Sequence, residues 1–561
     1  MMRSDRPLRM AVGGVVWLGL IAPILLGLGQ AVRAAFGVLP ALGRTSPSLD
    51  PWRHLFDLPG FSSSLRLTLV TGLGSTVLSL ALAAGFCAVV HFRLRPATSA
   101  RLLAPFLAIP HAAMAVGLAF VLAPSGWIAR ALAGPFGWDA PPDLVLVNDR
   151  WGVALILGLM VKEVPFLLLV MLSALGQIAV AKQMAAGRSM GYGRGIVWIK
   201  IILPQVWPLI RLPVWVVLAY ALSVVDMAII LGPSNPPTLA VAVMRWFANP
   251  DPAMLLPASA GAVLQAGIVA ASVVGLAGAE VLARRIGRWW LRRGGRGLSA
   301  EPALRAASLG VMGLMALGAL AMAALLVWSL AWRWSFPDML PQGWSVQVWG
   351  AAYGGWLRAL WHTGVLALAT VALSMLLALA WLESGVSRSG LLVYAPLLVP
   401  QIGFLYGLNV VFLQMGLSGG YLAVIWAQSL FVFPYVMIAL TDPWRALDPR
   451  LMHAAAALGA GRWRRLVAVR LPILLRPLLT AAAIGVAVSV AQYLPTLFMG
   501  AGRIATLTTE AVTLSSGSDR RVTGVYASLQ AALPFAAYLA AFLIPALAQR
   551  NRRDLTGADP T

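Results

Sequence analysis

The chain has 561 residues, 60% of them hydrophobic and only 11% charged, with a mean hydropathy of +0.83. That is too little polar surface to cover a soluble globule of this size, so the composition excludes a water-soluble protein and places the chain in a bilayer. The formal net charge of +23 would suggest nucleic acid in a soluble protein, but here the arginines stand between apolar runs, where they set topology, and no nucleic-acid partner is expected.

The apolar runs are about 20 residues or longer, which suits helices crossing hydrocarbon rather than the alternating runs of about 10 seen in outer-membrane strands. The first, at 10–32, follows the basic stretch MMRSDRPLRM and has two readings, a signal peptide cleaved near Val32 to Ala34 or a first span. A similar run at 306–331, deep inside the chain where no signal peptide belongs, favours the span. Further runs at 62–90, 102–123, 151–177, 205–232 and 256–282 complete one set of six. A second set falls at 306–331, 361–382, 391–414, 421–441, 473–499 and 524–548. The predicted fold is therefore an all-α integral membrane protein of about 12 transmembrane helices in two duplicated six-helix halves, 1–282 and 306–549. A basic linker, 283–305, joins them, and a tail, 550–561, follows.

Of the 42 Lys and Arg, 28 fall on the side that holds both termini and 12 on the other, with Lys162 and Arg211 inside spans. By the positive-inside rule both termini, the linker and the tail are cytoplasmic. The single cysteine, Cys87, excludes an intramolecular disulfide, and the five histidines show no i, i+4 pairing, so no metal site, cofactor or catalytic residue is expected.

The halves align at several landmarks. Thr68 and Ser79 repeat as Thr363 and Ser374, and Pro110 and Gly117 as Pro400 and Gly407. Pro204, Gly232 and Thr238 recur 268 residues later as Pro472, Gly500 and Thr506. The most informative repeat lies between the fourth and fifth runs of each half. The first copy reads AAGRSMGYGRGIVWIKIILP from Ala185, and the second HAAAALGAGRWRRLVAVRLP from His453. Alanines favour a short helix that another surface can approach closely, a glycine can end it in the left-handed conformation, and a proline suits the first turn of the next helix.

This loop resembles that of the permease subunits of ABC importers, whose pattern is E-A-A-x3-G-x9-I-x-L-P, and the resemblance covers both halves. It is most similar to the fused type I form that includes thiamine and ferric-ion permeases. The resemblance implies a bacterial inner-membrane importer in which the Ala-rich segment is a coupling helix for an ATPase subunit. The docking positions would be Ala185, Ala186, Gly187, Gly191 and Pro204, then His453, Ala454, Ala455, Gly459 and Pro472. The family's glutamate is replaced by Ala185 and His453. It also implies two copies of an ABC ATPase as partners and a solute-binding protein that delivers a small polar solute, thiamine or ferric ion among the candidates. The chain has no GxxxxGK[ST] phosphate loop, so it is not itself an ATPase.

Polar groups inside spans are costly and raise a functional suspicion. Lys162, Glu163 and Asp226 in the first half, with Gln401, Asn409, Gln428 and Gln492 in the second, are candidates for the translocation path; the charged ones have a second reading as pairs that hold the bundle together. The rival from another class is a 12-span ion-coupled secondary transporter. It does not predict the repeated loop, and the segment HFRLRPATSAR lacks the Gly-Asp-Arg signature such carriers often show.

Overall fold

The computed structural model describes residues 6–91, 96–293, 300–385, 392–517 and 519–548; the tail 550–561 lies outside them. Every predicted apolar run is helical at its centre. We number the twelve helices α1 (Arg9–Ala35), α2 (Phe61–Val90), α3 (His111–Leu122), α4 (Val153–Leu175), α5 (Leu203–Ser223), α6 (Leu255–Arg292), α7 (Glu301–Leu330), α8 (Tyr353–Ser384), α9 (Gln401–Gln414), α10 (Tyr421–Ala446), α11 (Leu475–Val490) and α12 (Arg520–Ala548). Short helices fill the turns, and a two-stranded antiparallel ribbon pairs Ala331–Arg333 with Gly343–Trp344.

Among the described residues, ten helical stretches are long and apolar enough to cross a membrane, and the pair Arg462–Ile473 and Leu475–Val490, bent by 78°, makes an eleventh if it is one span, close to the expected count of about 12. The run at 391–414 gives only the 14-residue α9, because its first part is a 3-10 turn, Leu392–Leu397, and the chain is extended at Pro400. Proline disfavours a helical residue before it and donates no N–H, so one apolar run becomes two pieces. Within the basic segment 283–305, residues 283–292 continue α6 as helix, and α7 starts at Glu301.

Two reciprocal crossings join the halves. α1 packs on α9 so closely that a Cβ on Gly407 would overlap the backbone carbonyl of Gly27, and one on Gly27 would overlap that of Phe404. α3 meets α7 in the same way, where a Cβ on Gly117 would overlap the carbonyl of Ala321. The first helix of each half thus lies against the third helix of the other. Lipid tails are as apolar as leucine, so such contacts rest on close van der Waals packing between small residues.

Within each half the same tie recurs. Thr68 Oγ1 accepts the Leu239 N–H at 2.8 Å while donating to Ser64 O, and Thr363 Oγ1 accepts the Leu507 N–H at 2.9 Å while donating to Ala359 O. Each hydroxyl satisfies a first-turn N–H of a short helix, Leu239–Phe247 or Leu507–Ser515, that has no partner of its own there.

Gly407→Ala should lower thermal stability by about 1–3 kcal/mol through overpacking against a backbone that cannot yield. Gly29→Ala, on α1 with nothing within 4 Å, should be neutral. Thermal unfolding followed by size-exclusion chromatography in detergent checks the pair.

Candidate functional site

The fifth helix of each half is broken at the same place. α5 ends at Ser223, the backbone is extended at Val224, and helix resumes at Asp226–Leu231; α11 ends at Val490 and helix resumes at Leu494–Gly500. α3 and α9 also start at equivalent positions, just after the extended Pro110 and Pro400. These four chain ends converge on one cavity of about 160 Å3.

Its walls have matching positions and different chemistry. The first half supplies His111, Tyr220, Ser223 and Asp226; the second supplies Gln401, Tyr435, Gln492 and Tyr493. His111 and Gln401 are counterparts, whereas Tyr220, Ser223 and Asp226 face Val488, Ala491 and Leu494 at the equivalent positions. Tyr220 and Asp226 line the same wall, and the Tyr220 ring lies 4.7 Å from that of His111.

The second feature is the pair of loop helices, Val180–Ser189 and Pro449–Ala457. Gly191 and Gly459 follow them at φ +82° and +81°, the left-handed region that glycine enters without steric cost. Both helices close with the same two bonds: Gly191 N–H to Arg188 O and Tyr192 N–H to Gly187 O, then Gly459 N–H to Ala456 O and Ala460 N–H to Ala455 O. Ala185, Ala186, His453 and Ala454 are exposed and Ala455 is half-buried, while Gly187 packs inward on Val197. The next helix enters through a π-helical turn in each copy, Trp198–Ile202 and Leu466–Arg470, just ahead of Pro204 and Pro472. Proline has no N–H for the carbonyl four residues back, and the turn widens there.

The two loops are mounted differently. Gly195 lies against Ala300 and Leu304 at the start of α7. In the second loop Arg462 and Arg470 pair with Glu383 at the end of α8, at 3.4 and 2.7 Å, and Arg470 stacks over Trp444.

The chain matches no protein-family model. It is 33% identical over 538 residues to the inner membrane ABC transporter permease protein YnjC of Escherichia coli (strain K12), covering 94% of this chain and 95% of that one. The chain belongs to the ABC transporter permeases. It is a multi-pass inner-membrane protein, and the ATPase site lies outside this subunit.

Of the residues expected to line a path through this permease, the cavity brings together Asp226, Gln401 and Gln492. The other four lie elsewhere. Lys162 Nζ donates to Phe106 O and Ile109 O at 2.7 and 2.6 Å, satisfying carbonyls left over where the helix Pro96–Ala108 ends before Pro110. Glu163 accepts from Ser79 Oγ at 3.0 Å. Gln428 sits in a buried hydroxyl network, accepting from Ser489 Oγ at 2.6 Å and donating to Thr496 Oγ1 at 3.0 Å. Asn409 is half-buried on α9, away from the cavity lining. The sequence reading missed His111, Ser223 and the three tyrosines. His111 was detectable as the repeat counterpart of Gln401; the tyrosines carry no local signal.

Lys162→Met should leave two buried carbonyls unpaired and destabilise the permease by about 2 kcal/mol or more. Thermal unfolding reads the loss, while a thiol placed at Ser223 in the same background should remain reactive.

Proposed function

We propose that this permease is the complete membrane half of an ATP-driven importer, in which two copies of an ATPase subunit dock one on each loop helix. The observation that carries the proposal is the repetition, at a constant offset of 268 residues, of one exposed Ala-rich helix with one closing geometry. Exposed apolar side chains beside it, Met190 at 53%, Leu458 at 88% and Trp463 at 77%, supply contact surface.

In this reading residues 1–282 and 306–549 are the two halves, and the loop helices, both termini and the linker face the cytoplasm. ATP-driven closure of the motor draws the loop helices together and rocks the halves about the reciprocal crossings. The cavity between the broken helices then opens alternately to either side, as in other transporters built on repeats. A binding protein delivers a small polar solute from outside, which passes Asp226, Gln401 and Gln492. Ala185 and His453 stand where a glutamate is usual, so docking rests on helix shape and apolar contact rather than on an ion pair at that position.

Permease purified from its native membrane should carry a vanadate-sensitive ATPase activity. Met190→Asp with Leu458→Asp should remove most of that activity and leave the permease monodisperse. Solute uptake driven by a proton or sodium gradient, with no ATP-hydrolysing companion, would overturn the reading in favour of an ion-coupled carrier.

A further inference from the structure

We infer that the cavity between the broken helices selects a compact organic cation bearing an N–H or O–H donor; this rests on the reading of that cavity as the translocation site. Its wall has one fixed charge. Asp226 is the single acidic lining residue, and no lysine or arginine lines it among the described residues. The nearby base, Lys162, is held by two backbone carbonyls and does not reach the lining. Asp226 makes no ion pair among the described residues. A carboxylate in a membrane interior calls for a counter-charge, and here the passing solute is the group that can supply it.

A second acceptor awaits a donor. Gln492, 6% exposed, lines the cavity with its Oε1 buried and unbonded among the described residues. A buried acceptor without a partner costs about 1–3 kcal/mol, which a donating solute would recover. Four aromatic rings, Tyr220, Phe431, Tyr435 and Tyr493, share the remaining wall with aliphatic side chains. Ring faces attract weakly hydrated organic cations. A metal ion instead needs several donor side chains around it, and no group of three or more His, Cys, Asp or Glu able to hold one occurs among the described residues. The charge sits on the wall of the first half and the amides on that of the second, so the solute would pass with its cationic end toward Asp226.

The test needs no knowledge of the natural solute. Cys87, buried and the sole cysteine, is replaced by Ala, and a thiol is placed at Ser223 or, as an independent site on the opposite wall, at Ala491. Full-length permease is treated with a trimethylammonium-bearing methanethiosulfonate and with its sulfonate analogue, each rate normalised to that with free 2-mercaptoethanol. The normalised cation-to-anion ratio should be about tenfold or more, as expected for one nearby charge in a partly screened site. Asp226→Asn should bring the ratio toward one and Asp226→Glu should keep it high. Choline should slow the modification, whereas its neutral isostere 3,3-dimethyl-1-butanol should not.

A ratio near one, a preference for the anion, or a ratio unmoved by Asp226→Asn would overturn the cation inference and leave the site reading standing. If neither thiol reacts with either reagent, with or without ATP and the motor subunits, the cavity is not a path and both readings fall.

Discussion

The architecture depends on backbone-to-backbone contact at two crossings, Gly27 with Gly407 and Gly117 with Ala321. In a bilayer there is no hydrophobic gain from pressing two apolar helices together, so adhesion comes from close atomic packing, and only small residues allow it. Because each crossing joins the first helix of one half to the third helix of the other, the halves are clasped rather than merely adjacent. The same crossings fix α3 and α9, and the first residues of those helices, His111 and Gln401, are walls of the cavity. The adhesion and the candidate path therefore share structural members.

Polar groups in this interior follow from broken backbone. Wherever a helix stops inside a membrane, carbonyls and N–H groups lose their intrahelical partners and must find others in protein or in a water-lined space. At Pro110 the answer is Lys162, whose ammonium takes up the freed carbonyls. At the start of Leu239–Phe247 and of Leu507–Ser515 the answer is a threonine hydroxyl. At Ser223 to Asp226 and at Ala491 to Leu494 the broken backbone lines open space, and there the chemistry of the two halves diverges. The repeat preserves geometry and varies side chains where a solute would touch them.

Much of this was legible in the sequence because hydropathy and loop chemistry are local. Runs of apolar residues located the twelve numbered helices, though not short ones such as Leu239–Phe247 and Leu507–Ser515, and the Ala-rich loops with Gly191 and Gly459 announced the helix endings later seen at positive φ. An averaged apolar run is blind to a change of direction at a proline, so 391–414 reads as one segment and folds as a 3-10 turn and a short helix. Arginines end a lipid-facing stretch without ending a helix, so the basic linker begins as a continuation of α6, which runs on to Arg292. Lys162 looked functional because charge in a span is rare; its partners, Phe106 O and Ile109 O, are backbone atoms invisible to a residue pattern. Tyr220, Tyr435 and Tyr493 come from three helices and meet only once the bundle is packed.

The unequal mounting of the loop helices has a mechanical meaning. The first is seated by direct atomic contact, with Gly195 against Ala300 and Leu304, so a load applied there travels through hard packing that ionic conditions barely affect. The second is tethered by Arg462 and Arg470 to Glu383, partly exposed to solvent, and such a tether slackens as salt screens it. One shoulder of the molecule is a stiff strut and the other a compliant one, so equal pushes at the two need not give equal strokes.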